Sequence, residues 1–331
     1  MSKPVKISGS RAAAVLNMSP YQTPVQVWMS IMEEVEPGFC ADHNYQYEPF
    51  EGNVSTRWGS AFESAIIELT ENKLNIKITD REKLFIQDIV SCHVDGIIKG
   101  DTLFEGKTTT AFSFRDEWGE PGTDRIPVSY QIQVQNNLMV TGLQSCILSV
   151  LVFPRRVEEW EEMGIVPRLI EKNIWRIERP NGNLFDPREW ASVLDDMGYF
   201  HQYEIHPHPE LQALMLQHYR EFWEGHVLTG TPPEIKSFED VKALCPVASG
   251  TLVADETVER LAAEYKQITQ EIGGSGSLAK RKEQIKIEIL KYMITMDSRV
   301  EKVLDDDSVE KFILRNREGR KLFQYDGKAF R

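Results

Sequence analysis

The spacing of apolar residues along the chain predicts helices that alternate with groups of strands. Residues 55–74 carry Trp58, Phe62 and Ile66 at intervals of four, which is the stripe of a helix that faces a core. Further helical patterns cover residues 10–16, 24–32, 126–143, 258–272 and 278–293. Runs of β-branched and aromatic residues predict strands at residues 83–89, 91–98, 102–107, 145–153 and 171–178. The order of these elements predicts an α/β (α+β) fold, with a central mixed β-sheet flanked by helices.

A change in composition near residue 235 divides the chain into two predicted parts. Residues 1–235 hold 20 basic and 34 acidic side chains, whereas residues 236–331 hold 18 and 17. The segment TPP at 231–233 directly follows a helical pattern, as expected of a helix stop followed by a linker. We therefore expect a core domain at 1–235 and a C-terminal extension at 236–331, built from a helical hairpin and a basic β tail. A Gly/Ser-rich stretch at 273–277 joins the two helices of the hairpin.

Composition excludes several classes of protein. The 331 residues are 41% hydrophobic and 27% charged, and the longest mainly apolar run, 147–153 with one serine, is far shorter than the roughly 18 residues of a membrane span. We expect no membrane contact, and the lack of a signal-like apolar segment at the N-terminus predicts a cytoplasmic protein. The four cysteines lie far apart, without a C-x-x-C pair, so neither a zinc site nor a disulfide framework is expected. The formal charge of −13 argues against nucleic acid unless positive charge is concentrated locally.

Candidate chemistry concentrates in a predicted hairpin. Asp95 ends one strand, and Glu105 and Lys107 lie on the next, beyond a turn at residues 99–101. Alternation along the strand puts Glu105 and Lys107 on one face, and the hairpin brings Asp95 beside them. Two carboxylates favour a hard divalent ion such as Mg²⁺, and a nearby lysine can orient or deprotonate a water molecule. The D-x9-E-x-K spacing is that of PD-(D/E)xK nucleases, although a solvated hairpin without such a role produces the same pattern.

Two helices supply further candidates. Glu63 lies beside the apolar stripe of helix 55–74, where it is either a surface acid or an inward carboxylate that must meet a cation. Tyr130 and Gln133 are three residues apart, so they share one face of helix 126–143. A glutamine-rich helix is also typical of an ordinary polar surface.

Together these motifs resemble the lambda exonuclease and YqaJ-type viral recombinase family. The motifs that carry the resemblance are SGSRAA at 8–13 with SPY at 19–21, WGSAFE at 58–63, HVDG at 93–96, EGK at 105–107 and YQIQVQ at 130–135. The resemblance implies a PD-(D/E)xK, restriction-endonuclease-like core and a 5′-to-3′ exonuclease that depends on Mg²⁺, with Mn²⁺ as an alternative ion. Such an enzyme resects double-stranded DNA ends as a ring-shaped trimer. It delivers 3′ single-stranded DNA to a single-strand annealing protein of the RecT/Red beta type for recombination.

The resemblance also implies roles for individual catalytic residues. Asp95, Glu105 and the Gly106 carbonyl would hold the metal ion, and Lys107 would act on the water. Three more residues would complete the catalytic pocket, namely Glu63, Gln133 and Tyr130. An upstream acid of lambda exonuclease has no clear counterpart, because Phe85 stands at the matching distance before Asp95 and Asp88 is only an approximate stand-in.

A further set of residues is expected to bind DNA. The resemblance implies that Ser10 and Arg11 lie near the terminal phosphate, and we expect Arg115 to contact DNA as well. Arg317 and Arg320 belong to a basic, aromatic tail that suits phosphate or single-strand contacts, although a solvated terminal hairpin has the same composition. Because a ring needs positive potential only along its channel, the acidic total charge does not contradict DNA binding.

Two alternative functions remain open. A Cas4- or RecB-like PD-(D/E)xK nuclease shares the acidic residues and the lysine. Its iron–sulfur form needs a close C-terminal group of cysteines, whereas Cys245 stands alone. A non-catalytic DNA-end clamp that keeps the fold is expected to have lost part of the metal-binding set, and this sequence retains that set.

Overall fold

The computed structural model describes residues 5–244, 250–271, 276–295 and 312–325. Cys245 and residues 273–275 of the predicted Gly/Ser-rich joint lie outside these ranges. The chain divides into two compact units, Met1–Pro20 with Phe50–Trp223 and Tyr21–Pro49 with Glu224–Arg331. The boundary at residue 235 stays a prediction. The composition of the chain did not predict that residues 21–49 group with the C-terminal part.

The first unit holds the strands and helices on which most of the candidate residues lie. Its strands are β1 (Ile7–Ser8), β2 (Ile78–Thr79), β3 (Lys83–Gln87), β4 (Val90–Val94), β5 (Gly96–Ile98), β6 (Thr102–Thr110), β7 (Ser145–Phe153), β8 (Val166–Glu171), β9 (Ile174–Glu178), β10 (Leu184–Phe185) and β11 (Phe200–Ile205). Its helices are α1 (Gly9–Val15), α4 (Val54–Leu74), α5 (Ala111–Glu117), α6 (Val128–Thr141), α7 (Val157–Glu162), α8 (Pro187–Asp196) and α9 (Pro209–Phe222).

The second unit is built from helices and a small sheet. Its helices are α2 (Pro24–Val35), α3 (Phe39–Asp42), α10 (Phe238–Leu244), α11 (Glu256–Glu271) and α12 (Gly276–Thr295), and its strands are β12 (Gly250–Val253), β13 (Phe312–Arg315) and β14 (Lys321–Tyr325). Helices α11 and α12 run antiparallel, since Arg281 binds Glu264 at 2.7 Å and the hydroxyl of Tyr292 accepts from the N–H of Asp255 at 3.2 Å. No helix in the described parts of either unit is long and apolar enough to cross a bilayer.

The central sheet of the first unit confirms the predicted mixed α/β architecture. Its strand order is β11-β7-β6-β5-β2, with β6 and β7 parallel and the other neighbours antiparallel. Helix α4 packs on one face through Trp58, Phe62 and Ile66, in a cluster that includes Phe104. Helix α6 contributes Val134 and Leu138 to a second cluster. This second cluster includes Leu103, which lies next to Phe104 on β6.

Alternation along β6 decides which helix faces the candidate residues. Phe104 belongs to the cluster on the α4 side, and a Cβ at Gly106 would lie 3.4 Å from Ile66 of that helix. Leu103 belongs to the cluster on the α6 side. Because side chains alternate along a strand, Glu105 and Lys107 share the side of Leu103 and point towards α6.

The segment predicted as one strand at 91–98 is two strands in different sheets. Strand β4 pairs with β1 and β3 in a three-stranded sheet, whereas β5 joins the central sheet, and Asp95 is the single residue between them. A Cβ at Gly96 would overlap the side chain of Ile78 on β2, so glycine is needed for this close approach. The predicted turn after β5 is confirmed, since Lys99 and Gly100 have φ values of 51° and 84°, as in the tight turns that hairpins favour.

One further local prediction is confirmed with a shift of one residue, and another was wrong in detail. The helix predicted at 10–16 is α1, which runs from Gly9 to Val15 with Ser8 at its N-cap. The strand predicted at 171–178 is a hairpin of β8 and β9 that reverses near Asn173, whose φ is 62°. Asparagine tolerates this left-handed conformation better than most residues, which explains why the chain can turn there.

Candidate active site

Asp95 occupies the junction between two sheets and is tied to the strand that carries the other candidates. Its Oδ2 accepts a hydrogen bond from the backbone N–H of Gly106 on β6, at 2.9 Å. This bond holds the Asp95 carboxylate beside residues 105–107. The structure thus brings together the two carboxylates and the lysine that the hairpin pattern predicted to converge.

Glu105 is a buried carboxylate with donors on both oxygens. It is 1% exposed, and its Oε1 accepts from Nζ of Lys107 at 2.6 Å and from Nε2 of Gln133 at 2.7 Å. Its Oε2 accepts from Nδ2 of Asn137 at 3.2 Å. Burial and the neighbouring charge of Asp95 raise the pKa of Glu105 above its ordinary value, and Lys107 opposes this change. Two carboxylates and one lysine thus meet here, so the charges of these three groups do not cancel when both carboxylates are ionised.

Lys107 is held from two sides. Besides its ion pair with Glu105, its Nζ lies 5.3 Å from the ring centroid of Tyr130, within the range of a cation–π contact. Burial alone would lower the pKa of Lys107, but the carboxylates of Glu105 and Asp95 outweigh burial and raise it. Lys107 is therefore positively charged at neutral pH in this arrangement, which suits a group that orients water and neutralises developing charge.

One face of α6 supplies the polar side chains around this ion pair. Tyr130, Gln133 and Asn137 are spaced by three and four residues, so they lie on the same side of the helix. The contact of Gln133 with Glu105 follows the sequence expectation, whereas Asn137 was missed. Its position four residues after Gln133 was the available signal, but an asparagine in a helix ordinarily indicates a solvated polar position.

Glu63 belongs to the same electrostatic group. It lies on α4 as an exposed residue, yet partial burial of its carboxylate is the largest cause of a raised pKa. The negative charges of Asp95 and Glu82 raise that pKa further, against the opposing effects of Lys107 and Arg81. Glu63 is thus within electrostatic range of Asp95 and Lys107, and its role as a surface acid or as part of the site stays a prediction.

Glu82 is an additional acid beside the site that the sequence did not single out. Its backbone N–H donates to the Val94 carbonyl at 2.9 Å, and its φ of 56° lies in the left-handed region that glutamate seldom adopts. The two positions considered for an upstream acid lie elsewhere. Phe85 packs against the hydrophobic cluster on the α6 side, and the carboxylate of Asp88 lies 3.9 Å from Arg220.

The DNA-binding candidates of the first unit lie on two short helices. Ser10 is exposed on α1, where its hydroxyl lies 2.9 Å from that of Ser8. Nη1 of Arg11 lies 3.4 Å from the Lys6 carbonyl. Arg115 on α5 forms an ion pair with Asp116 at 2.8 Å. Helix α1 packs against α6, so Ser10 and Arg11 belong to a segment that is joined to the site, whereas α5, which carries Arg115, packs against β6 and β7.

Arg317 and Arg320 belong to the second unit and are paired with acids there. Arg317 lies 3.2 Å from Glu256, and its backbone N–H donates to Glu259 at 3.1 Å. Arg320 lies 2.8 Å from Glu318. Both side chains remain exposed, so a nucleic acid would have to compete with these surface pairs.

The metal-binding potential of the site lies in a small set of oxygen donors. Within the ranges that the structure describes, no three side chains of His, Cys, Asp or Glu gather into a metal-binding cluster. The carboxylates of Asp95 and Glu105 both lie beside Gly106, whose backbone N–H binds Asp95. Mg²⁺ is commonly held by one or two carboxylates, with substrate phosphate and water completing its shell, so two carboxylates suffice for this ion.

Comparison with known proteins gives matches to the N-terminal part of the chain. Residues 3–144 match the family model of the YqaJ-like viral recombinase domain. The uncharacterized protein YqaJ of Bacillus subtilis (strain 168) is 28% identical over 141 residues, which is 41% of this chain and 39% of that protein. The chain thus spans about two fifths of the length of that relative.

Two solved structures resemble the fold at low sequence identity. An alkaline exonuclease from Laribacter hongkongensis has a TM-score of 0.44 and 14% identity, over 68% of this chain and 89% of that chain. A phage-related exonuclease from Haemophilus somnus 129PT has a TM-score of 0.42 and 10% identity, over 69% of this chain and 97% of that chain.

Proposed function

We propose that this chain, whose residues 3–144 match the family model of the YqaJ-like viral recombinase domain, is a metal-dependent nuclease that acts on double-stranded DNA ends. The observation that supports the proposal best is the arrangement around Glu105. A buried carboxylate, a second carboxylate at Asp95 and a half-buried, ion-paired lysine meet on the side of β6 that faces α6. A purely structural ion pair has no need of Asp95, whose charge makes the buried Glu105 less stable.

The donor set fits Mg²⁺. The available ligands are oxygen atoms, and a cation would stabilise the ionised form of Glu105, which burial and the charge of Asp95 disfavour. Asp95, Glu105 and the Gly106 carbonyl would hold the ion, with Mn²⁺ as an alternative. When bound, the ion would polarise the phosphate and activate a water molecule for hydrolysis of the phosphodiester bond.

The protein's own residues would position the reacting groups. Lys107 is held between Glu105 and the ring of Tyr130, so its charge can orient the attacking water and neutralise charge that develops on the phosphate. Gln133 would keep Oε1 of Glu105 in place. Glu63, whose carboxylate interacts electrostatically with Asp95 and Lys107, would act on the metal-bound or attacking water.

The finer features of the proposal rest on the family resemblance. These are 5′-to-3′ polarity, resection to 3′ single-stranded DNA for recombination, a ring-shaped trimer, a cytoplasmic location and a partner of the RecT/Red beta annealing type. The charge of −13 requires positive potential to be concentrated near the path of the DNA, where Arg11 and Arg115 are the candidates in the first unit.

The test is digestion of linear duplex DNA that carries a label at the 5′ or the 3′ end of one strand. We expect degradation with Mg²⁺, none with EDTA, early release of a 5′ label, and faster cleavage of 5′-phosphate than of 5′-hydroxyl ends. Binding of ends without cleavage would favour the non-catalytic clamp. Cleavage of single strands, or of both strands without preference for polarity, would favour the Cas4- or RecB-like alternative.

A further inference from the structure

Asn137 connects the Glu105 carboxylate to the interior of the first unit. It is 1% exposed, and its Nδ2 donates to Oε2 of Glu105 at 3.2 Å. Its Oδ1 accepts from Nδ2 of Asn136 at 3.4 Å, and the same nitrogen donates to the Ser91 carbonyl on β4 at 3.2 Å. Two buried asparagines of α6 thus link Glu105 to strand β4.

Gly9 makes room for this link. It is a buried residue at the start of α1, and a Cβ at this position would overlap Oδ1 of Asn137. Protein interiors are close-packed, so an amide displaced by a larger residue finds no free volume nearby. An alanine at position 9 would therefore push the Asn137 amide out of its present position and away from Glu105.

The orientation of Glu105 depends on donors at both of its oxygens. Lys107 and Gln133 donate to Oε1, and Asn137 donates to Oε2. A glutamate carboxylate otherwise rotates over a broad range about its last torsion. Loss of the Asn137 contact would free Oε2 to move while Oε1 stays anchored.

We propose that Asn137 is a positioning residue that fixes the rotation of the Glu105 carboxylate for metal binding, and that Gly9 is required because it lets Asn137 reach Oε2. The inference rests on the proposed function, in which Glu105 holds the metal ion. Ser10 and Arg11 directly follow Gly9, so the segment proposed to meet the DNA end packs against the residue that orients the carboxylate.

The experiment measures Mn²⁺ binding to the full chain without DNA, by electron paramagnetic resonance of the free ion. Changes in residues that orient metal ligands typically weaken affinity or activity about 10- to 100-fold. We expect N137S to weaken Mn²⁺ affinity about 10-fold, and G9A to weaken it in the same direction although it leaves Asn137 in the sequence. With DNA, both variants should lower kcat while KM for DNA changes little.

Gln135 provides a matched control on the same helix. Its amide is buried, like that of Asn137, but it donates to the His206 carbonyl and accepts from the N–H of His208, at 2.8 Å each. Q135A should therefore lower the melting temperature without changing Mn²⁺ affinity. If Q135A weakens Mn²⁺ as much as N137S does, Asn137 has only a structural role and the proposal fails.

The double variant tests whether Gly9 acts through Asn137. In the N137S background the shorter side chain leaves space for a Cβ, so adding G9A should weaken Mn²⁺ affinity no further. Wild-type affinity in G9A or in N137S, or fully additive losses in the double variant, would overturn the proposal. A wild-type chain that binds Mn²⁺ but cleaves no DNA contradicts the proposed function alone, whereas one that binds no Mn²⁺ overturns both.

Discussion

The backbone N–H of Gly106 donates to Oδ2 of Asp95 across 2.9 Å, and this bond joins the junction of two sheets to the strand that carries Glu105. Asp95 stands alone between β4 and β5, so no ladder bond of a regular strand fixes it from both sides. The contact with Gly106 supplies that constraint. It also holds Asp95 beside the segment that carries Glu105, ten positions further along the chain.

Replacement of either carboxylate should abolish cleavage. In D95N and E105Q the side chain keeps its shape but loses the charge that attracts a divalent cation, so we expect activity to fall by more than the roughly 100-fold that outer-shell changes reach. K107A should also be inactive. Release of labelled nucleotides measures activity, and circular dichroism checks that the fold is kept. D88N, at an exposed acid outside the site, is the control, and Mg²⁺-dependent activity in E105Q would refute the metal assignment.

Gln133 should affect the rate more than DNA binding. Its Nε2 lies 2.7 Å from Oε1 of Glu105, so Q133A removes one donor from the carboxylate without touching the surface charges that attract DNA. We expect kcat to fall about 10- to 100-fold. Gel-shift affinity for duplex DNA in Ca²⁺, which should support binding without turnover, should stay near that of the wild type. A large loss of binding with an unchanged rate would assign Gln133 to substrate contact instead.

Replacement of Glu63 should show whether this residue is a surface acid or a carboxylate that takes part in the site. If its carboxylate acts on the water or the metal shell, E63Q should lower the rate about 10-fold or more. E68Q on the exposed part of the same helix is the comparison, since its carboxylate pairs with Arg188 at 2.9 Å. Equal activity of E63Q and wild type would identify Glu63 as a surface acid.

The local part of the site could be predicted from the sequence because it depends on neighbours in the chain. The turn at Lys99 and Gly100 and the alternation of Glu105 and Lys107 follow from strand geometry over a few residues. The shared face of Tyr130 and Gln133 follows from helix geometry in the same way.

The remainder depends on pairings between distant segments. The split at Asp95 arises because β4 pairs with residues 7–8 and 83–87, and nothing within 91–98 specifies those partners. Asn137 acquires its role from Gly9, more than a hundred residues away. The grouping of residues 21–49 with the C-terminal unit likewise rests on contacts such as the hydrogen bond from Gln46 N–H to the Ala243 carbonyl, at 2.7 Å.

Asp240 should be important for the stability of the second unit. It is fully buried and accepts hydrogen bonds from the Thr23 hydroxyl and from the backbone N–H groups of Lys236 and Ser237, the last two at 2.9 and 3.0 Å. D240A leaves these donors without a partner. An unsatisfied buried polar group costs about 1–3 kcal/mol, so we expect the free energy of unfolding to fall by at least that amount.

Urea unfolding followed by circular dichroism measures this loss. E239A is the matched control at the adjacent position, because Glu239 is exposed and its pair with Lys242 is a surface contact worth at most about 1 kcal/mol. Equal unfolding midpoints for D240A and E239A would show that the hydrogen bonds of Asp240 contribute little.

The stabilisation that the Glu33 carboxylate gives to the second unit should be lost in acid. Its carboxylate accepts from the backbone N–H groups of Cys40 at 3.0 Å and Gly38 at 2.7 Å, and these bonds lower its pKa from the ordinary value of 4.5 against the opposing effect of burial. Because the folded-state pKa is the lower one, the stabilisation is present above the unfolded-state value and is lost as pH falls through the folded-state pKa.

E33Q should therefore be less stable than the wild type near neutral pH, and the difference should shrink in acid. Thermal unfolding of both proteins at roughly pH 7 and pH 3, beside the exposed-site control E36Q, measures the effect. If the stability difference between E33Q and the wild type is the same at both pH values, the hydrogen bonds to Gly38 and Cys40 depend on the shape of the side chain at position 33 and not on its charge.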